Sequence, residues 1–111
     1  MKSPNFKALQ IPKFNVVLTT YQILVSDFKH LSSIPWRCII IDEGQRLKCS
    51  DSKLFKYALT LVAEHRILLS GTPLQNNVGE LFNLLEYLDP VKFSAETRES
   101  FAKMFAESVM L

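Results

Sequence analysis

This 111-residue chain has few glycines, cysteines and histidines and a small net charge, and each of these features excludes a class of binding site. The three glycines, Gly44, Gly71 and Gly79, lie too far apart for the GxxxxGK[ST] loop that cradles phosphates. Two cysteines without a CxxC spacing and two isolated histidines supply no zinc site, so free thiols in a reducing compartment are expected. A net charge of +2 is too small to indicate nucleic-acid binding on its own.

Long apolar runs are also missing. No run approaches the roughly 20 residues of a membrane-spanning helix, and the start, MKSPNFKALQIPKF, has no apolar core of a signal peptide. We therefore expect no membrane partner. The composition is an ordinary globular balance, with 48% hydrophobic and 22% charged residues, in a length that fits one small domain or part of a larger one.

Strand-like and helix-like segments alternate along the chain, after an irregular lead-in at 1–13 that contains two prolines and three lysines. Apolar or β-branched runs predict strands at 14–20, 37–42 and 65–70. Apolar residues three and four positions apart predict helices at 21–31, 51–62, 78–88 and 95–107. Ser50 or Asp51 is the expected cap of the second helix.

This alternation predicts an α/β fold, a parallel sheet with helices outside it. The second strand, RCIIID, is apolar throughout, which is typical of a strand covered on both faces. Three strands are few for such a sheet and would leave both edges open, which indicates a piece of a larger unit.

Polar clusters follow all three predicted strands, and parallel strands place their carboxyl ends at one edge, where ligands bind. The clusters are Thr19-Thr20-Tyr21, Asp42-Glu43-Gly44-Gln45 and Ser70-Gly71-Thr72-Pro73. An Asp-Glu pair there suits Mg²⁺, which keeps several waters and binds through one or two carboxylates plus substrate phosphates. Asp42 would then hold the ion through water, and Glu43 would orient or deprotonate the attacking water. Gly44 would let the chain turn sharply.

Each cluster also has a plainer interpretation. Taken alone, Asp42-Glu43 is more simply a solvated loop start or a helix cap, and Gln45 a surface residue. The threonine pair is explained by strand propensity, and residues 70–73 by a turn. Arg46 and the neighbouring lysines are most simply a solvated face. The combination of the clusters in this order favours the chemical interpretation.

In that order, the sequence resembles the SWI/SNF-like ATPases of helicase superfamily two, the motors of chromatin remodellers. Within this chain, IIIDEGQRLK resembles their motif II, LLSGTPLQNN their motif III, and VVLTTY the strand and turn of their motif Ib. ELFNLLEYLDP resembles the helix that follows motif III. The resemblance covers about residues 13–105, and DSKLFKYALTL is most similar to the chromodomain-helicase branch.

The resemblance implies a partial RecA-like P-loop NTPase lobe over 14–111, with ATP and Mg²⁺ as cofactors of the complete motor. Asp42 and Glu43 take the magnesium and water-activating roles, and Gln45 would lie beside the γ-phosphate and report its presence. The family usually has His in place of Gln45, and commonly Asn in place of Cys49. Gln cannot titrate but still donates and accepts hydrogen bonds, so coupling is expected to be retained.

By the same resemblance, Ser70, Gly71 and Thr72 couple nucleotide state to DNA and to a second motor lobe. Thr19 and Thr20 would face the DNA backbone, where hydroxyl and backbone N–H groups bind phosphate without reading bases. The complete protein would act on double-stranded DNA and nucleosomes in the nucleus.

The expected extent of the chain is the middle of one lobe, from after motif Ia to before motif IV. Without a phosphate-binding loop, we expect the isolated chain not to hydrolyse ATP. An alternative is a non-catalytic, truncated or relic product that acts, if at all, as a protein-interaction module. A small unrelated α/β binding domain would require the ordered motif pair to be a coincidence.

Overall fold

A computed structural model of the chain describes residues 13–71 and 77–109. Two parallel strands are flanked by helices, which confirms the predicted α/β class. The elements in order are α1 (Tyr21–Ser26), α2 (Phe28–Ser32), β1 (Trp36–Ile41), a 3₁₀ helix (Gly44–Leu47), α3 (Lys53–Thr60), β2 (Ala63–Leu68), α4 (Val78–Leu88) and α5 (Arg98–Val109). None of the helices in these described ranges is long and apolar enough to cross a membrane.

The two strands remain hydrogen-bonded past their carboxyl ends. Ile41 lies opposite Leu68 in the register. Beyond that pair, the Leu69 amide donates to the Ile41 carbonyl (2.8 Å), and the Gly44 amide donates to the Leu69 carbonyl (2.7 Å). The chain that follows β1 and the chain that follows β2 therefore begin side by side.

The strand predicted at 14–20 is wrong. No strand is assigned there, and Val16 and Leu18 are 83% and 98% exposed. β-branched composition favours an extended backbone, but a strand also needs a neighbouring strand to pair its N–H and C=O groups. Within the described residues, the sheet consists of β1 and β2 alone.

The expectation that the apolar second strand is covered on both faces is also wrong. Ile41 is buried, whereas Ile40 on β1 is 62% exposed and its register partner Ile67 on β2 is 43% exposed. Successive strand residues point to opposite faces of the sheet, and the described helices cover only one of them. An apolar run in the sequence shows that both faces can be buried, and it does not supply the layer that would cover them.

The predicted first helix is interrupted at Asp27, which has φ −110° and ψ 23° and separates α1 from α2. Ser52, and neither Ser50 nor Asp51, caps α3, because its hydroxyl accepts a hydrogen bond from the Phe55 amide (3.1 Å). α4 has the predicted bounds, and the Asn77 side chain caps it. α5 begins three residues later than predicted, after a turn at 95–97.

One buried cluster lies between the sheet and the helices. It consists of Leu24, Ile41, Leu47, Phe55, Ala58, Leu61, Leu84 and Tyr87. Leu47 has no exposed surface, so burial of this side chain anchors the 3₁₀ helix that follows β1. The polar residues just before Leu47 are thereby held at the carboxyl edge of the sheet.

Candidate functional site

The chain turns out of β1 at Glu43, which has φ 55° and ψ 47°. Among the described residues, Glu43 is the only non-glycine residue with a positive φ. This left-handed conformation is uncommon for residues with a Cβ atom. The Asp42 carboxylate supports it locally, because Oδ1 accepts a hydrogen bond from the Glu43 amide (2.8 Å). Both carboxylates are exposed at the turn.

Gly44 serves the turn in a different way from the one predicted. Its φ is not positive, so the sharp change of direction belongs to Glu43. A Cβ atom on Gly44 would lie 3.2 Å from Leu68 Cδ2 and 3.3 Å from the Leu69 carbonyl oxygen. Glycine therefore allows the turn to pack closely against the end of β2.

Side-chain hydrogen bonds connect the turn after β1 to the segment after β2. The Gln45 amide nitrogen Nε2 donates to the Glu43 carboxylate. The Ser70 hydroxyl donates to Gln45 Oε1 (2.9 Å). Gln45 thus uses both ends of its amide group and joins residues of two of the predicted polar clusters.

The remaining cluster meets the same turn across an open groove of about 1040 Å³. The residues that line it are Thr19, Thr20, Tyr21, Gln22, Val25, Ser26, Asp42, Glu43, Arg46 and Leu54. Residues after the predicted first strand therefore lie beside the carboxylates after β1, as expected, although no strand precedes them.

Thr20 has a local role that strand propensity did not indicate. Its hydroxyl accepts a hydrogen bond from the Ile23 amide (3.2 Å) and caps α1. Tyr21 is therefore the first residue of α1, and its hydroxyl lies within hydrogen-bonding distance of the Asp42 and Glu43 carbonyl oxygens. Burial raises the pKa of Tyr21, and the Arg46 guanidinium opposes this shift.

Tyr21 and Arg46 are among the groove residues that had no role in the sequence-based site. Tyr21 belonged to a predicted cluster without a function of its own, and Arg46 was interpreted as part of a solvated face. In the structure, the Arg46 guanidinium lies over the Tyr21 ring, 5.1 Å from its centroid. The sequence signal for Tyr21 was its position directly after Thr20, a residue type that caps helices. Nothing in the sequence indicates what the Tyr21 hydroxyl contacts.

The structure brings some of the predicted site residues together and leaves others apart. Thr19, Thr20, Asp42 and Glu43 share the groove, and Gln45 and Ser70 form the hydrogen-bonded connection described above. Gly71 is exposed, and among the described residues a Cβ atom there would meet nothing within 4 Å. Thr72 lies outside the described residues.

The donor set suits a hydrated Mg²⁺ that is shared with a phosphate ligand better than a closed metal site. The described residues contain no group of three or more His, Cys, Asp or Glu side chains that could hold a metal ion. Asp42 uses Oδ1 for the Glu43 amide, which leaves Oδ2 at an exposed groove position. One carboxylate with water and phosphate oxygens is a common magnesium environment.

Comparison with known proteins identifies the family. A family model described as "SNF2-related domain" matches residues 3–110. The chain belongs to this family. A structure titled "Sulfolobus solfataricus SWI2/SNF2 ATPase core in complex with dsDNA" is similar over 64% of this chain and 15% of its own, with 37% identity and a TM-score of 0.60. This SNF2 segment is thus a partial RecA-like lobe, as the motifs predicted.

Chromatin remodellers are among the curated relatives of this SNF2 segment. Protein CHROMATIN REMODELING 4 of Arabidopsis thaliana is 54% identical over 81 residues, which cover 73% of this chain and 4% of that protein. Chromodomain-helicase-DNA-binding protein 7 of Homo sapiens is 47% identical over 85 residues, 77% of this chain and 3% of that protein. The chain therefore spans only a few per cent of these relatives' length.

Proposed function

We propose that this SNF2 segment is part of the ATP-binding lobe of a DNA-dependent ATPase that remodels chromatin by ATP-driven translocation on DNA. The observation that carries the proposal is the groove, because it brings Thr19 and Thr20 together with Asp42 and Glu43. Support also comes from the SNF2 family match and from relatives that are named as chromatin-remodelling proteins.

In this proposal, Asp42 holds Mg²⁺ through water, and Glu43 orients or deprotonates the water that attacks the γ-phosphate of ATP. The hydrogen bond from Gln45 limits the positions of the Glu43 carboxylate. Gln45 lies beside the γ-phosphate and reports its presence. Bound Mg²⁺ would supply charge stabilisation for the phosphate oxygens.

Coupling to DNA is assigned to the two segments that flank the carboxylates. Ser70, Gly71 and Thr72 connect nucleotide state to DNA and to a second motor lobe, and the hydrogen bond from Ser70 to Gln45 supports the first step of this connection. Thr19 and Thr20 face the DNA backbone. Thr19 is exposed in the groove, where its hydroxyl can reach a phosphate oxygen.

The domain proposal is a lead-in at 1–13 and a partial lobe at 14–111. No GxxxxGK[ST] motif occurs in the 111 residues, so the phosphate-binding loop of the proposed motor has to come from elsewhere. The complete protein would use ATP and Mg²⁺, act on double-stranded DNA and nucleosomes, and work in the nucleus. The 111 residues alone would not hydrolyse ATP.

The test compares ATP hydrolysis by two proteins: the longest natural product that carries this sequence, and the 111-residue chain. We expect double-stranded DNA to stimulate hydrolysis by the longest product. The 111-residue chain should hydrolyse no more ATP than its own Glu43→Gln variant, with or without DNA. DNA-independent hydrolysis by the longest product, or none at all, would contradict the proposal.

A second candidate is a non-catalytic interaction module, and the exposed sheet face favours it. Ile40 and Ile67 form an apolar pair on that face, which a protein partner could cover. This candidate predicts that the longest product binds a protein partner through the sheet face and shows no ATP hydrolysis. The same hydrolysis assay therefore discriminates between the two candidates.

A further inference from the structure

The conformation of Glu43 needs support beyond its own neighbours. A left-handed backbone is unfavourable for a residue with a Cβ atom, and the bond to the Asp42 carboxylate involves only the Glu43 amide. The carbonyl groups on either side of Glu43 also have to be oriented for the turn to persist. The Glu43 carbonyl accepts locally from the Arg46 amide (3.0 Å), but the partner that contacts both the Asp42 and the Glu43 carbonyl oxygens comes from a segment far away in the sequence.

That partner is the Tyr21 hydroxyl. It donates to the Asp42 carbonyl and lies 3.2 Å from the Glu43 carbonyl oxygen. These two oxygens belong to the peptide groups before and after the Glu43 Cα atom. Because one hydroxyl has one hydrogen to donate, the two oxygens share it. A group that contacts both peptides limits rotation about φ and ψ of Glu43, and so limits where its carboxylate can lie.

Tyr21 is itself held in place from two sides. Thr20 caps α1 and thereby fixes the backbone at the first residue of the helix. Arg46, on the 3₁₀ helix that follows Glu43, lies over the Tyr21 ring. A displacement of the 19–20 segment would therefore move the hydroxyl that contacts the Glu43 turn.

We propose that Tyr21 is a positioning residue that sets the Glu43 carboxylate and transmits movement of the Thr19-Thr20 segment to it. This inference rests on the proposed function, in which Glu43 activates water and the threonines face DNA. It adds a direct connection between these two sites that does not pass through Gln45 and Ser70.

The test uses Tyr21→Phe in the longest product that carries the sequence, with Tyr57→Phe as the matched control. Both variants lose only a phenolic hydroxyl, and that of Tyr57 makes no hydrogen bond among the described residues, where its ring stacks on Phe28. We expect Tyr21→Phe to lower the kcat of DNA-stimulated hydrolysis about tenfold, because a displaced base loses part of its effect. The KM for ATP should stay within about twofold, since the ATP contacts are unchanged.

Hydrogen–deuterium exchange supplies a second readout that does not depend on activity. The Gly44 amide donates to the Leu69 carbonyl, and the Arg46 amide donates to the Glu43 carbonyl. If loss of the hydroxyl loosens the turn, both amide hydrogens should exchange faster in Tyr21→Phe than in Tyr57→Phe. The Tm should stay the same in the two variants.

Three results would overturn the inference. Unchanged exchange at residues 42–47 in Tyr21→Phe would show that the hydroxyl does not hold the turn. Faster exchange with unchanged kcat would show that the turn does not position the base. If the unaltered product lacks DNA-stimulated hydrolysis, the proposed function fails and this inference fails with it, whereas the first two results leave the proposed function standing.

Discussion

The guanidinium group of Arg66 lies over the ring of Tyr87, 4.9 Å from its centroid, and donates a hydrogen bond to the Tyr87 carbonyl oxygen (2.8 Å). Its other terminal nitrogen donates to the carbonyls of Leu59 (3.1 Å) and Leu61 (2.7 Å). These carbonyl groups lie at the carboxyl ends of α3 and α4. Carbonyl groups at a helix carboxyl end lack intrahelical partners and carry partial negative charge. One side chain on β2 therefore joins two helices to the sheet that supports the site.

Replacing Arg66 should destabilise the fold. Arg66→Met removes three charge-assisted hydrogen bonds from a half-buried position, and we expect the free energy of unfolding to fall by about 2–3 kcal/mol. Arg37→Met is the matched control in β1, because Arg37 is exposed and 3.9 Å from Glu64, an ion pair of small effect. Urea unfolding of both variants, each in an Ile40→Lys background that limits association through the exposed sheet face, provides the measurement. Equal midpoints for the two would contradict the role of Arg66.

The Tyr87 hydroxyl is buried without a hydrogen-bond partner among the described residues. Tyr87→Phe removes this oxygen and keeps the ring, so at neutral pH we expect stability to be unchanged or to rise by up to about 1 kcal/mol. Burial raises the pKa of Tyr87 to about 12, against an opposing effect of Arg66.

Because the unfolded-state pKa is near 10.0, the unfolded chain ionises first as pH rises. Stability of the unaltered chain should therefore fall between about pH 10 and about pH 12. Urea midpoints across that range, measured in the same Ile40→Lys background, should fall less steeply for Tyr87→Phe. The slope that remains is partly due to Tyr21, whose pKa is also raised. Tyr57→Phe controls for loss of a hydroxyl. Identical slopes for Tyr87→Phe and the unaltered chain would contradict this prediction.

The exposed sheet face should drive self-association of the isolated 111-residue chain. Ile40 and Ile67 present adjacent apolar side chains on this face, and the strand edges are open within the described residues. Sedimentation should show oligomers that Ile40→Lys reduces. Val91→Lys adds the same charge at a 90% exposed residue away from the sheet and should have no such effect. A monodisperse, cooperatively melting monomer would contradict the prediction.

Local sequence pattern was sufficient for the elements whose partners lie nearby in the chain. α4 was predicted from its apolar stripe and the following Asp89-Pro90, and its bounds are confirmed. The strand at 14–20 failed because strand formation depends on a neighbour that composition does not specify. The cap of α3 was placed one or two residues early, since Ser50, Asp51 and Ser52 all have capping side chains.

Within the site, the sequence predicted which residues meet but not how they are held. Parallel topology was enough to bring the segments after β1 and β2 to one edge, whereas Thr19 and Thr20 reach the same turn without a strand before them. The left-handed Glu43 could not be predicted, because the adjacent Gly44 is the residue that ordinarily accepts such a conformation. Asn83 shows the same limit: it lies within an apolar helix, yet its amide donates to the Lys48 carbonyl and accepts from Arg98. Such long-range polar partners leave no periodic signal.

The central claim is that Glu43 activates the attacking water, and steady-state ATP hydrolysis by Glu43→Gln in the longest product tests it most directly. Gln keeps the size of the side chain and an oxygen that can accept from Gln45, so the change is confined to basicity. The control is Glu64→Gln, at an exposed residue of β2 outside the groove.

We predict that Glu43→Gln lowers DNA-stimulated kcat by roughly 10²–10⁴-fold, because a general base is lost, while ATP binding and the control variant are unaffected. Hydrolysis by Glu43→Gln at the rate of the Glu64→Gln control would contradict the account.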